Sequence, residues 1–150
     1  LCALFAVLAI LKTWELIENI FNYLVNQRKQ RLTDEAHNSL TNGFIEYTEG
    51  RFERSEKILQ KNIKYSDNRL LVYLIAARAA QQLGAYERRD EYLRKAHLEA
   101  PDADIAIGLT KAELQLTHDQ VEQALATLEQ INSVTDNHPY VLSLLAKMQK

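Results

Sequence analysis

The side chains best suited to metal or nucleophilic chemistry in this 150-residue chain are His37, His97, His118, His138 and the one cysteine, Cys2. The histidines fall one to a segment. None stands four residues from another, the spacing that aims two ligands from one helix face at a shared metal, and no HExxH or CxxC occurs. A lone cysteine forms no internal disulfide and fits best as a small apolar residue in a helix. The four glycines are isolated, so there is no phosphate loop and no dinucleotide fingerprint, and no Gly-x-Ser-x-Gly elbow is present. No catalytic residue, metal ligand or cofactor is expected. A net charge of −2 and a pI near 6.1 argue against nucleic acid as a partner, since phosphate recognition normally shows as a basic excess over the whole domain.

With chemistry set aside, the elements carry the information. Ala, Leu, Glu, Gln, Lys and Arg dominate, Gly and Pro are few, and no long alternating run occurs, so the chain reads as all-α. TEGRFERSEKILQK, from Thr48, and QLGAYERRDEYLRK, from Gln82, align without a gap, and Gly50 and Gly84 stand 34 residues apart. That period belongs to the tetratricopeptide repeat, in which small residues let two helices approach and a Gly permits the turn between them. In one unit Ala76, Ala77 and Ala80 line a helix, Gly84 turns, Tyr86 and Leu93 open the next packing face, Ala96 is small near its end, and Pro101 stops it. The preceding unit offers Gly43, Gly50, Phe52 and Leu59 at the same positions, with Asn62 and Asp67 in place of Ala96 and Pro101. A third unit is shifted by one residue and lacks the turn Gly. In it Ala112 is the small residue, Thr117 with Gln120 reads as a capping box, and Ala124, Leu125, Leu128 and Ile131 form the apolar face. His138 and Pro139 read as cap and first residue of one more helix, through Val141, Leu144 and Leu145. Units are expected at 34–67, 68–101 and 102–136, with another starting at 139–150. Because no helix pair hides its own apolar face, the units must stack, here into a right-handed superhelix of antiparallel pairs.

The inner surface of such a stack is lined by the first helix of each unit. Position by position it presents His37, Leu40, Phe44 and Tyr47, then Leu71, Leu74, Arg78 and Gln82, then Leu109, Glu113 and Leu116. Leu71, Leu74 and Leu109 fit a core role equally well. Leu40 and Phe44 stand where a carboxylate clamp needs Lys and Asn, which disfavours a chaperone-tail receptor. His37 is the one histidine in this register, where a single His could meet haem iron. The charged run Glu87, Arg88, Arg89, Asp90 and Glu91 reads as a solvated outer face.

Ahead of the repeats, Leu1–Leu11 is unbroken apolar sequence, about half the thickness of a hydrocarbon core if helical. Trp14 follows, then Ile17, Ile20, Phe21 and Leu24 at helical spacing, then the basic Arg28, Lys29 and Arg31. Residues 1–31 are thus expected to be the end of a transmembrane helix with an amphipathic, basic extension, residues 32–150 the repeat domain, and the repeats to face the cytoplasm. The chain neither starts with Met nor closes its last unit, and is expected to be a piece of a longer protein.

VYLIAARAAQQLGAYERRDEYLRKA (72–96), KAELQLTHDQVEQALATLEQI (111–131) and HPYVLSLLA (138–146), after the apolar helix and its Trp-Glu pair, resemble the amino-terminal portion of the HemY family of proteobacterial inner-membrane proteins. The resemblance implies a membrane-anchored repeat protein tied to a late step of haem biosynthesis. It would be a non-catalytic scaffold that binds pathway enzymes, ferrochelatase among them, or handles tetrapyrrole, with contact to haem or porphyrin open. An unrelated flavin-dependent oxidase shares the family name, and the absence of a nucleotide fingerprint separates this chain from it. The competing expectation is a generic peptide-binding repeat adaptor in bacterial envelope assembly or secretion.

Overall fold

A computed structural model describes residues 2–135 and 138–148, with side chains from residue 12 onward; the side chains of the apolar run 1–11 and the ends of the units expected at 136 and 150 lie outside the described residues. Among the described residues seven α-helices follow one another: α1 Cys2–Thr48, α2 Phe52–Lys61, α3 Arg69–Gln82, α4 Tyr86–Glu99, α5 Asp104–Leu116, α6 Val121–Val134 and α7 Pro139–Met148. Short 3₁₀ turns at Ile63–Tyr65 and Pro101–Ala103 join α2 to α3 and α4 to α5. No strand occurs among the described residues. The pairs α1/α2, α3/α4 and α5/α6 are the repeat units, and α7 packs on α6.

The same turn chemistry ends the first helix of every unit. Arg51 N–H donates to Glu46 O at 2.9 Å, Ala85 N–H to Ala80 O at 2.9 Å, and Gln120 N–H to Gln115 O at 3.0 Å. The residue inside each closure is left-handed, with φ of 79° at Gly50, 68° at Gly84 and 56° at Asp119. Asp119 therefore fills the place of the missing glycine, 35 residues after Gly84, which is the one-residue shift of the third unit. Asp is among the few non-Gly residues that tolerate this conformation, at some cost. Asp119→Gly is accordingly expected to raise stability by about 0.5–1 kcal/mol, and Gly84→Val to lower it by about 1–2 kcal/mol, in urea unfolding followed by helical circular dichroism. The capping box expected at Thr117 and Gln120 does not form. Thr117 caps the end of α5, its hydroxyl donating to Leu114 O at 2.8 Å, and Gln120 precedes α6 without a side-chain cap.

Within each unit a small residue faces a leucine. Gly43 meets Leu59, and at the same repeat positions stand Ala77 with Leu93 and Ala112 with Leu128, all buried. Ala76, Ala77, Ala79 and Ala80 are at most 1% exposed, so the second half of α3 lies close to its neighbours. Asn62 ends α2 four residues before the point where α4, with Ala96 fully buried in its last turn, runs out. The degenerate end of the first unit thus becomes a shorter helix and a 3₁₀ turn. One core joins the first two units around Leu59, Val72, Ile75, Leu93 and Ala96, reaching Ile107 and Leu114; a second joins Ala112, Leu128, Ile131, Val141 and Leu144.

The charged run on α4 is largely solvated, as expected, except at Arg89. Arg89 is 2% exposed, donating to Gln81 Oε1 at 2.7 Å, Gln120 Oε1 at 2.8 Å and Asp90 Oδ1 at 2.8 Å. Arg88 holds the buried Glu56 of α2 with two bonds, 2.9 and 3.2 Å, and the Tyr92 hydroxyl donates to the same carboxylate at 2.7 Å while accepting from Gln60. Burial first, and the Glu56 carboxylate second, push the Tyr92 phenol well above its ordinary pKa. A helical charge run is bipolar in space. Glu87 looks out to water, while Arg88 and Arg89 tie each second helix to the next unit's.

α1 runs unbroken through residues 31 and 32, spanning 47 residues, roughly 70 Å. From residue 12 to 31 it touches little else, leaving Trp14, Ile17, Ile20, Phe21 and Leu24 52–66% exposed. Among the described residues no helix is long and apolar enough to cross a membrane.

Candidate functional site

The 34-residue offset sets Leu74 beside Leu40 and Arg78 beside Phe44, one helix over. Leu40, Phe44 and Tyr47 form a ridge at i, i+4 and i+7 on α1, and Leu71, Leu74, Ile75 and Arg78 form the facing ridge on α3. Between them lies an open groove of about 490 Å³, with Thr41 completing its wall. Six of the eleven sequence-derived positions meet there. Phe44 is 49% exposed and Leu71 41%, so both have apolar surface to offer, whereas Leu40, Tyr47 and Leu74 also pack against the first core. The Tyr47 ring is braced at 5.6 Å from Phe52, which fixes the turn end of the groove.

The other five positions are placed elsewhere. His37 is exposed on α1, one turn short of Leu40, and does not line the groove. Gln82 is exposed outside it, while its neighbour Gln81 is fully buried and donates to Leu114 O at 2.7 Å. Leu109 packs into the second core, and Leu116, half-buried, sits at the end of α5. Glu113 closes the groove on its α5 side: its carboxylate lies 3.6 Å from Arg78 and accepts the Tyr140 hydroxyl at 3.0 Å. That bond raises the Tyr140 phenol pKa.

Electrostatically the groove is apolar with a single cation. The Thr41 hydroxyl is used locally, donating to His37 O at 3.1 Å. Among the described residues no cluster of His, Cys, Asp and Glu is arranged to hold a metal. What the arrangement can do is accept bulky apolar side chains between two preformed helical ridges. Sequence reasoning missed the Gln81–Arg89–Gln120 network that ties the end of α3 to α4 and to the residue before α6. The one available signal was that Gln81 and Arg89 lie eight residues apart across a turn, with Gln81 adjoining the alanine stripe.

Comparison with known proteins agrees with this architecture. The model described as HemY protein N-terminus matches residues 1–84, and a tetratricopeptide repeat model matches residues 91–148. Protein HemY of Escherichia coli (strain K12) and Protein HemY of Shigella flexneri are each 29% identical over 122 residues, which is 81% of this chain and 30% of theirs. The chain therefore spans about a third of the length of these curated relatives. In fold it is similar to the second TPR domain of the human RPAP3 protein, solved by NMR in complex with an HSP70 peptide, with a TM-score of 0.58 over 81% of this chain and 98% of that one at 15% identity. Folded as a tetratricopeptide-like stack and matched over more than half of its length by one family model, the chain belongs to the HemY N-terminus family.

Proposed function

We propose that the chain is a non-catalytic, membrane-tethered scaffold whose α1/α3 groove receives a short apolar segment of a protein partner. In the setting its family implies, that partner is an enzyme of a late step of haem biosynthesis such as ferrochelatase. The observation that carries the reading is the pair of ridges, Leu40–Phe44–Tyr47 and Leu71–Leu74–Arg78, which face each other across one open groove, with Phe44 and Leu71 leaving apolar surface uncovered there. Such a groove is suited to anchors spaced along one helical or extended segment. The tether is supported by the exposed apolar stripe of α1, continuous with the apolar run 1–11, and the cytoplasmic side by Arg28, Lys29 and Arg31. Tethering raises the effective concentration of a partner at the membrane without demanding tight contacts.

Full-length membrane protein carrying Phe44→Asp should lose co-purification of ferrochelatase by tenfold or more, about the effect of removing one central apolar anchor, with helical content unchanged. Undiminished capture by that variant would remove the groove from the reading.

A further inference from the structure

Arg78 is the one charged residue lining the groove, and its side chain is 36% exposed. Its nearest acid, Glu113, is 3.6 Å away, beyond hydrogen-bond distance, and no hydrogen bond from the guanidinium is formed among the described residues. Glu113, by contrast, already accepts the Tyr140 hydroxyl at 3.0 Å. A guanidinium offers five N–H donors in a fork that matches a carboxylate. Here that fork makes only the loose ion pair with Glu113, at one end of an otherwise apolar cleft. Arg78 occupies on α3 the position that Phe44 occupies on α1, so a segment crossing from α1 toward α5 meets Phe44 first and the cation next.

Resting on the peptide reading of the groove, we propose that its occupant is a partner segment with two bulky apolar side chains followed by a side-chain carboxylate. The apolar pair fills the space between Leu40, Phe44, Leu71 and Leu74, and the acid takes the free donors of Arg78. The guanidinium then sits between two carboxylates, the partner's and Glu113, a shared arrangement that exchanges a weak exposed pair for a hydrogen-bonded one. This differs from clamping a chain end, because the recognised acid is internal and the apolar anchors come first.

The test uses three fluorescein-labelled synthetic peptides, amidated at the carboxy terminus, with two leucines four residues apart and Glu, Gln or Lys one turn beyond. Fluorescence anisotropy against this chain should rank Glu over Gln by about tenfold and Gln over Lys, with the Glu preference falling as salt rises. Arg78→Gln should erase the Glu preference, and Arg78→Glu should invert it toward the Lys peptide, while thermal melts stay near those of the parent chain. Equal, Phe44-dependent binding of all three peptides would overturn the acid reading and leave the apolar groove standing. Absence of binding by every peptide would overturn both. Sedimentation showing a dimer that Phe44→Asp dissolves would make the occupant a second copy of this chain and would likewise overturn the proposal.

Discussion

Arg89→Ala is expected to destabilise the stack by roughly 2–4 kcal/mol, although a charged residue on a helix surface is ordinarily replaceable at little cost. The guanidinium is buried, and its bonds to Gln81 and Gln120 join the end of α3 to the residue before α6. Its removal strands the Gln81 oxygen in a site where Gln81 has no exposed surface, and opens a cavity between the second and third units. Gln81 also donates to Leu114 O on α5, so the loss spreads along the seam between units. In a stacked array the interface between neighbours supplies much of the stability, and the weakened units open first. Hydrogen exchange should therefore quicken in α5 and α6 before it does in α3, and urea unfolding by circular dichroism should broaden. Combining Arg89→Met with Gln81→Met should cost less than the sum of the single changes, since the Arg89 donor and the buried Gln81 oxygen it satisfies are removed together. A loss below about 0.5 kcal/mol for Arg89→Ala would mean the side chain is solvated after all.

Gly43→Val should cost about 3 kcal/mol or more and weaken partner binding at the same time. A Cβ at Gly43 would lie 2.5 Å from Leu59 Cγ and 2.6 Å from its Cδ2, and Leu59 is itself 1% exposed inside the first core. The carbonyl of Gly43 also accepts the buried Ser55 hydroxyl at 2.7 Å, so α1 and α2 are pinned at this point by a hydrogen bond as well as by contact. Alanine in place of glycine gains about 1 kcal/mol of helix propensity, which offsets only part of the overlap. Valine adds a branched side chain and removes that compensation. Relief requires a shift of α1 away from α2, which moves Phe44, the very next residue, and with it one ridge of the groove. Leu59→Ala beside Gly43→Ala should recover part of the loss by making room, and a calorimetric melt with and without the Leu59 change measures it. Full stability in Gly43→Val would show that the two helices are not packed at glycine distance.

Much of the architecture was readable from local spacing. Gly50 and Gly84 at one period demanded left-handed corners, and the alanines of α3 demanded close helix approach; both follow from backbone sterics and residue size, which sequence carries directly. The start of α7 at Pro139 and the one-residue slip of the third unit were legible for the same reason. The capping box at Thr117 and Gln120 was misread because a Ser/Thr-x-x-Gln pattern fits either the end of one helix or the start of the next, and Asp119 had already taken the corner. Of the groove, the ridge residues were found because position within a repeat sets which way a side chain faces. Leu109 and Gln82 were not separable from them, since core and groove differ by less than half a helical turn.

Sequence by itself determined the helical class, the repeat period and the turn glycines of the first two units, because each depends on interactions within about one helix pair. Tertiary structure alone decided that Arg89 is buried while Glu87 is not, that Glu113 closes one side of the groove, and that the leading helix and the first repeat helix are one rod. Those outcomes depend on which residue of a neighbouring unit stands opposite, a distance in space that a single chain's spacing does not encode.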